Sequence, residues 1–289
     1  AARGHHVTGL TDGSDGAAQV RQDGGIPAFV SDPFRAGELK SLLRAAQADV
    51  VLHLTPQLMN GFPHRALPWD AAGRHVTEGT SALLQAARET DVKFFVYPSF
   101  TFVYGDQHGG AVTEATPRAR TAVFRAAAQA EDAVLNSGVP ACVIRAGRLY
   151  GGGEDSTMAL MNTLRQGRGV VTGDAHAVTG WVHVVDLASA LVLAAEQMPA
   201  GQVFNVADDT PAAPADFVRY LAESLGMPAP GQPSSFPLRP ASNAVTDTLL
   251  AASARINSDK ARQMLGWQPR YPGYRAGLDQ ALLVQRAGK

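Results

Sequence analysis

The sequence predicts an α/β fold built on a doubly wound, mainly parallel sheet. Short apolar runs rich in Val, Ile and Phe recur along the chain, and stretches with helical spacing separate them. Strands buried on both faces read as such runs. Their alternation with helices implies right-handed βαβ crossovers, with helices on both faces of the sheet. A further observation is the change of pattern after residue 207, where strands give way to helices and a proline-rich connection.

The strands are expected, in order, within HHVTGL (5–10), IPAFVSD (26–32), DVVLHLT (49–55), KFFVYPS (93–99), ACVIRAG (141–147), GWVHVVD (180–186) and GQVFNVA (201–207). Helices are expected over AGELKSLLRAAQ (36–47), where Leu39, Leu42, Leu43 and Ala46 share a face, and over TSALLQAARET (80–90). Asp186 is placed to cap the helix after GWVHVVD. A helix over about 214–225 stops at Gly226, a C-terminal cap. MPAPGQPSSFPLRPASN follows; its five prolines exclude a regular helix or central strand and read as an extended connection. A short helix then starts after Ser258, an N-cap, and stops at Gly266.

Composition excludes several classes. The formal net charge is −1 and there are only four lysines (Lys40, Lys93, Lys260 and Lys289), so clustered phosphate contacts to nucleic acid are not expected. Cys142 is the single cysteine, which excludes an internal disulfide or a cysteine metal cluster, and it lies in an apolar strand as a core residue. His5, His6, His64, His75, His108 and His176 show no metal-ligand spacing, and no metal is expected. No run approaches the length of a membrane span and no secretory signal is read, so the expected placement is cytoplasmic, with no membrane partner.

Gly9, Gly13 and Gly16 follow the first apolar run and resemble a phosphate-binding turn, with Asp32 ending the next run. Glycine is abundant here, at 29 of 289 residues, and Asp12 and Asp15 in that turn would repel a pyrophosphate. The turn therefore reads as a false cradle.

Six stretches, in order, carry a resemblance to a known family: ADVVLHL, FVYPSFTFVYGDQ, VIRAGRLYGGG, GWVHVVDLASALVLA, GQVFNVADD and SDKARQMLGWQPRYPGYRAGL. Together they resemble the extended short-chain dehydrogenase/reductases, the NAD-dependent epimerase/dehydratase family, over nearly the whole chain. The resemblance implies a Rossmann-like domain over residues 1–207, a substrate-subdomain insertion at about 152–179, and a substrate subdomain over most of 208–289. It makes ARGHHVTGL the end of the family's first helix and its second strand. The family's first strand and its Gly-x-x-Gly-x-x-Gly turn would then precede Ala1, either as a segment missing from this chain or as one lost by the protein. GLTDGSDG becomes the loop that meets the adenosine ribose. A 2′-phosphate needs a cation there, and Thr11 to Asp15 offer none, which favours NAD over NADP. The cofactor-side positions implied are Thr11, Asp12, Asp32, Pro33, Leu54, Thr55, Pro56, Ser99 and Gly147.

Hydride chemistry in this family resembles acid–base catalysis by a tyrosine whose phenol is lowered by a lysine four residues on, with a Ser or Thr orienting the substrate. No tyrosine here has that lysine: Thr101, His108, Glu154, Ser224, Arg275 and Leu278 stand four residues after the six tyrosines. No lysine lies between Lys93 and Lys260. Anchored on VYG (103–105) and Glu131, the resemblance puts Phe100 at the hydroxyl position, Val123 at the tyrosine position and Ala127 at the lysine position. All three are apolar and are read as inactive.

Other polar residues offer alternatives, each with a structural rival. Tyr104 is a candidate proton donor or a buried phenol. His183, with Asp186, is a candidate catalytic group or part of a helix cap. Thr101, Arg148, Tyr150 and Arg255 fall where the family lines its substrate pocket; Arg148 would meet an anion or simply lie at the surface. Glu114 reads as a solvated loop residue. His75 stands where the family often has an asparagine.

Three functions follow. The chain binds NAD and acts on a nucleotide sugar or related small carbonyl or hydroxy compound by a non-standard mechanism; or it is a non-catalytic accessory or regulatory relative; or it is a cofactor-independent cyclase or lyase in the old cleft. The partner expected is a small molecule. The resemblance also implies a homodimer through paired helices, to which the Ala-rich FRAAAQAEDAVL is suited.

Overall fold

The computed structural model describes residues 1–11, 13–54, 73–170, 176–230, 249 and 252–287. The strands are β1 (Thr8–Thr11), β2 (Ile26–Phe29), β3 (Val50–Leu52), β4 (Phe94–Phe100), β5 (Ala111–Val112), β6 (Ala141–Ala146), β7 (Arg148–Tyr150), β8 (Trp181–His183), β9 (Gln202–Val206) and β10 (Arg255–Ile256). The α-helices are α1 (Ser14–Gln22), α2 (Ala36–Ala46), α3 (Thr80–Arg88), α4 (Ala122–Leu135), α5 (Asp155–Arg165), α6 (Val184–Gln197), α7 (Pro214–Ser224), α8 (Asp259–Leu265) and α9 (Tyr274–Ala287). A π-helical turn at His75–Gly79 leads into α3, and a 3₁₀ turn at Thr101–Tyr104 follows β4.

Among the described residues every pairing between these strands is parallel, as the alternating pattern predicts, with one isolated antiparallel bridge at Thr179 and Ala212. A four-stranded sheet runs in the order β3-β4-β6-β9, and β1-β2, β7-β8 and β5-β10 form parallel pairs. Alternation along β4 feeds two cores. Phe95 and Tyr97 pack with Leu83, Ala130 and Val134 of α3 and α4. Phe94 and Val96 pack on the other face with Cys142, Ile144, Phe204 and α6 residues Ala190 and Ala194. This is the doubly wound layering expected of strands apolar on both faces. A further core joins α5, α7 and α9 through Leu160, Phe217, Leu221 and Leu278, around Tyr150 and Trp181.

Several local expectations change. GWVHVVD is a strand only to His183, because Val184 already begins α6. His183, not Asp186, caps that helix: its Nδ1 accepts from the Val185 N–H at 3.3 Å. Asp186 instead accepts from the Arg270 and Tyr271 N–H groups at 2.7 and 3.0 Å, tying the C-terminal segment to α6. Ser258 does stand at the N-cap of α8, yet its hydroxyl bonds Ala207 rather than its own helix. Gly266, at φ +66°, ends α8 in the left-handed conformation that glycine adopts without strain. Most of the proline-rich connection lies outside the described residues.

Candidate functional site

Within each parallel sheet the strands put their carboxyl ends on the same side, where ligands of open α/β sheets bind. Thr11 ends β1, Asp32 and Pro33 follow β2, Leu54 follows β3, Ser99 is the penultimate residue of β4, and Gly147 directly follows β6. Six of the nine cofactor-side positions thus share this kind of strand-end placement. Asp12, Thr55 and Pro56 lie outside the described residues.

The edge has distinct local chemistry at each position. The Thr11 hydroxyl donates to the Gly13 carbonyl at 3.2 Å and shapes the turn. Asp32 accepts from the Phe34 N–H at 2.9 Å, and Arg35 lies 3.9 Å from its second oxygen. Ser99 is only 7% exposed, and its Oγ has no hydrogen-bond partner among the described residues. A buried hydroxyl of this kind carries a desolvation cost until something bonds it. Gly147 is glycine for a packing reason: a Cβ there would sit 2.7 Å from the Gly180 carbonyl oxygen, where the backbone passes into β8. A strand-end edge with an unsatisfied Ser99 hydroxyl fits a dinucleotide laid across it.

Phe100, the last residue of β4, is half-buried, 6.4 Å from Phe102 and 6.5 Å from Phe124 between ring centroids. Ala127, on α4, is 2% exposed. Val123 lies within α4, and its side chain falls outside the described residues. Thr101 is buried at the start of the 3₁₀ turn.

Tyr104 closes that turn and is fully buried. Its hydroxyl donates to Asn205 Oδ1 at 2.7 Å and accepts from Arg145 Nη1 at 2.8 Å. Arg145 in turn grips Glu131 of α4, through Nε at 3.0 Å and Nη2 at 2.6 Å. Arg118 bonds the same carboxylate at 3.2 Å. Burial pushes the Tyr104 phenol above its ordinary range, outweighing the adjacent guanidinium. The proton is therefore held between Asn205 and Arg145, and geometry favours the buried-phenol reading of Tyr104. Glu114, expected in solvent, accepts from the Asn205 N–H at 2.7 Å and supports the same network.

Arg148 is buried, not superficial. Its guanidinium lies 4.8 Å from the Phe102 ring centre and 5.5 Å from that of Trp181, and Nη2 donates to the Leu249 carbonyl at 3.4 Å. Burial lowers its pKa to about 10, which leaves it charged near neutrality. Tyr150 is wholly buried, edge-on to Trp181, His183 and Phe217, so it belongs to the core of α5, α7 and α9. His183 is also buried, with its ring 4.2 Å from that of Tyr271, and burial lowers its pKa. Arg255 is exposed on the β5-β10 pair. The strand end of β4 therefore gathers Ser99, Phe100 and Thr101, while Tyr150 and His183 are buried against Trp181, Phe217 and Tyr271.

The Arg145–Glu131–Tyr104–Asn205 network was not read from the sequence, although a lone arginine inside the apolar run ACVIRAG signals a buried ion pair. Asp208 was also missed. It is 3% exposed, its Oδ2 has no partner among the described residues, and burial raises its pKa to about 8. Among the described residues no three His, Cys, Asp or Glu side chains are grouped as a metal requires, and no helix is long and apolar enough to cross a membrane.

Parallel strands between helical layers, with a separate helical core in the C-terminal part, define a Rossmann-like α/β class. Over residues 1–207 the sequence matches the NAD dependent epimerase/dehydratase family, and the chain belongs to that family. A 3-diazoavenalumate denitrifying reductase from a Streptomyces species is 32% identical, covering 96% of this chain and 92% of that protein. A UDP-glucose 4-epimerase of Mycolicibacterium smegmatis is 28% identical over 93% of this chain and 87% of its own. The fold is that of DesIV, a dTDP-glucose 4,6-dehydratase of Streptomyces venezuelae solved as a double mutant with NAD bound. That structure has TM-score 0.77 and 21% identity, covering 97% of this chain and 87% of its own.

Proposed function

We propose that the chain binds NAD(H) at the strand edge and reduces a small substrate without a tyrosine–lysine proton relay. The observation that carries this reading is the pair Phe100 and Ala127 at the expected hydroxyl and lysine positions, in a chain with no lysine between Lys93 and Lys260. Thr11, Asp12, Asp32 and Pro33 serve the adenosine end, while Leu54, Thr55, Pro56, Ser99 and Gly147 line the path to the reacting end. NAD is preferred to NADP, because Thr11 to Asp15 supply no cation for a 2′-phosphate. Reduced nicotinamide supplies a hydride when bound.

The chain's own residues orient the substrate and exclude water, and no tyrosine–lysine pair stands among them to deliver a proton to a new alkoxide. Reduction of a carbonyl needs that proton; a diazonium does not. The balance R–N₂⁺ + H⁻ → R–H + N₂ closes with dinitrogen as leaving group and no proton from the protein. The 32% identical relative, named a denitrifying reductase of a diazo compound, supports this substrate class. Thr101 and Arg148, with Ser99, supply polar groups to the substrate side. Residues 208–289, with about 152–179, serve as the substrate-side subdomain, a reading supported by the separate core around Trp181 and Phe217. A homodimer through α4 and a cytoplasmic location complete the proposal.

A nucleotide-sugar substrate is the second reading, favoured by the 28% identical epimerase. Following NADH absorbance with the diazonium, and sugar-nucleotide products by chromatography with UDP-glucose and NAD, separates the two on the natural full-length protein. NADH consumption and gas release with an aryl diazonium carboxylate, and no new product from UDP-glucose, is the expected result. Turnover of UDP-glucose favours the sugar reading. NADH binding with no turnover of either points to an accessory protein, and no NADH binding overturns the proposal.

A further inference from the structure

We propose that Phe100 is a fixed stacking platform that selects a planar aromatic substrate. The inference rests on the reductase reading and adds the shape of what is reduced. Along β4 the side chains of Phe94 to Tyr97 are sealed in the two cores, but Phe100, where the strand ends, is only half-buried. It packs against three separate apolar clusters, which contain Tyr97, Ala127 and Phe124. Phe124 meets it edge-on, at 61° and 6.5 Å. Phe102 lies tilted at 50° and 6.4 Å. Neighbours on several sides hold the ring in one orientation, so little freedom is lost when a ligand stacks on the surface it leaves open.

The chemistry of that surface discriminates. A pyranose laid on Phe100 gives up water hydrogen bonds from its hydroxyls, and the phenyl ring returns none. A flat ring gains offset or edge-to-face contact with Phe100. A puckered ring of the same size gains apolar burial but not ring stacking. Position 100 is thus a specificity-determining position, where a side chain without a hydroxyl also contributes a surface.

The test is calorimetric binding of 3-phenylpropionate and 3-cyclohexylpropionate to the natural full-length protein saturated with NADH. The two acids share a carboxylate and a chain and differ in ring planarity. The expected result is a preference for the phenyl acid of about threefold to tenfold, the range of one aromatic pair. Phe100→Leu, which keeps an apolar side chain, should abolish the preference, and Phe100→Tyr should retain it. Equal or tighter binding of the cyclohexyl acid, no binding of either acid, or a preference unchanged in F100L overturns the platform. If F100L does not fold, retention of the preference in F100Y supports the proposal and its loss overturns it. Failure of NADH to bind sinks the reductase reading separately; the two acids are then compared without NADH, where the same preference still supports the platform and its absence overturns it.

Discussion

Replacing Asp208 by asparagine is expected to stabilise the protein, and by more as the pH rises. Asp208 follows β9 and is 3% exposed. Its Oδ1 accepts from the Thr210 N–H at 3.1 Å, and its Oδ2 has no partner among the described residues. Burial, opposed by the Thr210 bond and reinforced by Asp209 and Asp186, raises its pKa from 3.8 to about 8. Folding therefore favours the protonated form. The group carries no penalty below the unfolded value. Between the two values the unfolded chain is ionised while the folded chain keeps its proton, and stability falls by about 1.4 kcal/mol per pH unit. Near pH 7 the accumulated loss is about 4 kcal/mol at most, and it levels off above about pH 8. Asparagine keeps the Oδ1 acceptor and does not titrate. Urea unfolding of both proteins across this range reads the difference directly. An advantage of D208N that grows with pH and then flattens supports the reasoning. A difference independent of pH, or an asparagine variant less stable throughout, refutes it.

Other outcomes follow from the same geometry. Arg145→Met alone should cost about 3–5 kcal/mol by leaving the Glu131 carboxylate buried without its main partner, and adding Glu131→Leu should recover much of that in urea titrations. Tyr104→Phe should lower stability by about 1–3 kcal/mol through the Asn205 and Arg145 groups it leaves unsatisfied, and leave the pH profile of NADH oxidation unmoved. A profile that shifts in this variant would return Tyr104 to a catalytic role. Ser99→Ala should weaken NADH binding about twofold to tenfold, the worth of one hydrogen bond, with little change in melting temperature.

Much of the fold was legible because each long strand carries its own signal. FFVYPSF and ACVIRA are apolar on both faces, and that is what a strand between two helical layers must be. The pair β5-β10 and strand β7 are not legible, since two or three residues hold no period and tertiary contact alone selects them, whereas β8 is read within GWVHVVD. The cap of α6 shows the same limit. His183 and Asp186 both suit a cap, and only the Arg270 and Tyr271 amides, more than eighty residues on, draw Asp186 away. Within the site, the missing tyrosine–lysine spacing could be read directly, because it requires only residue identity. The burial of Arg148 and the network around Tyr104 could not, because Arg145, Glu131 and Asn205 meet only through packing of α4 on the sheet.

Titration calorimetry of NADH and NADPH against the natural full-length protein reads nucleotide binding at the strand ends without any assumption about the substrate. The expected result is one NADH site per chain, with NADPH weaker, because Thr11 to Asp15 hold no cation. No heat of binding for either nucleotide at millimolar concentration would contradict it.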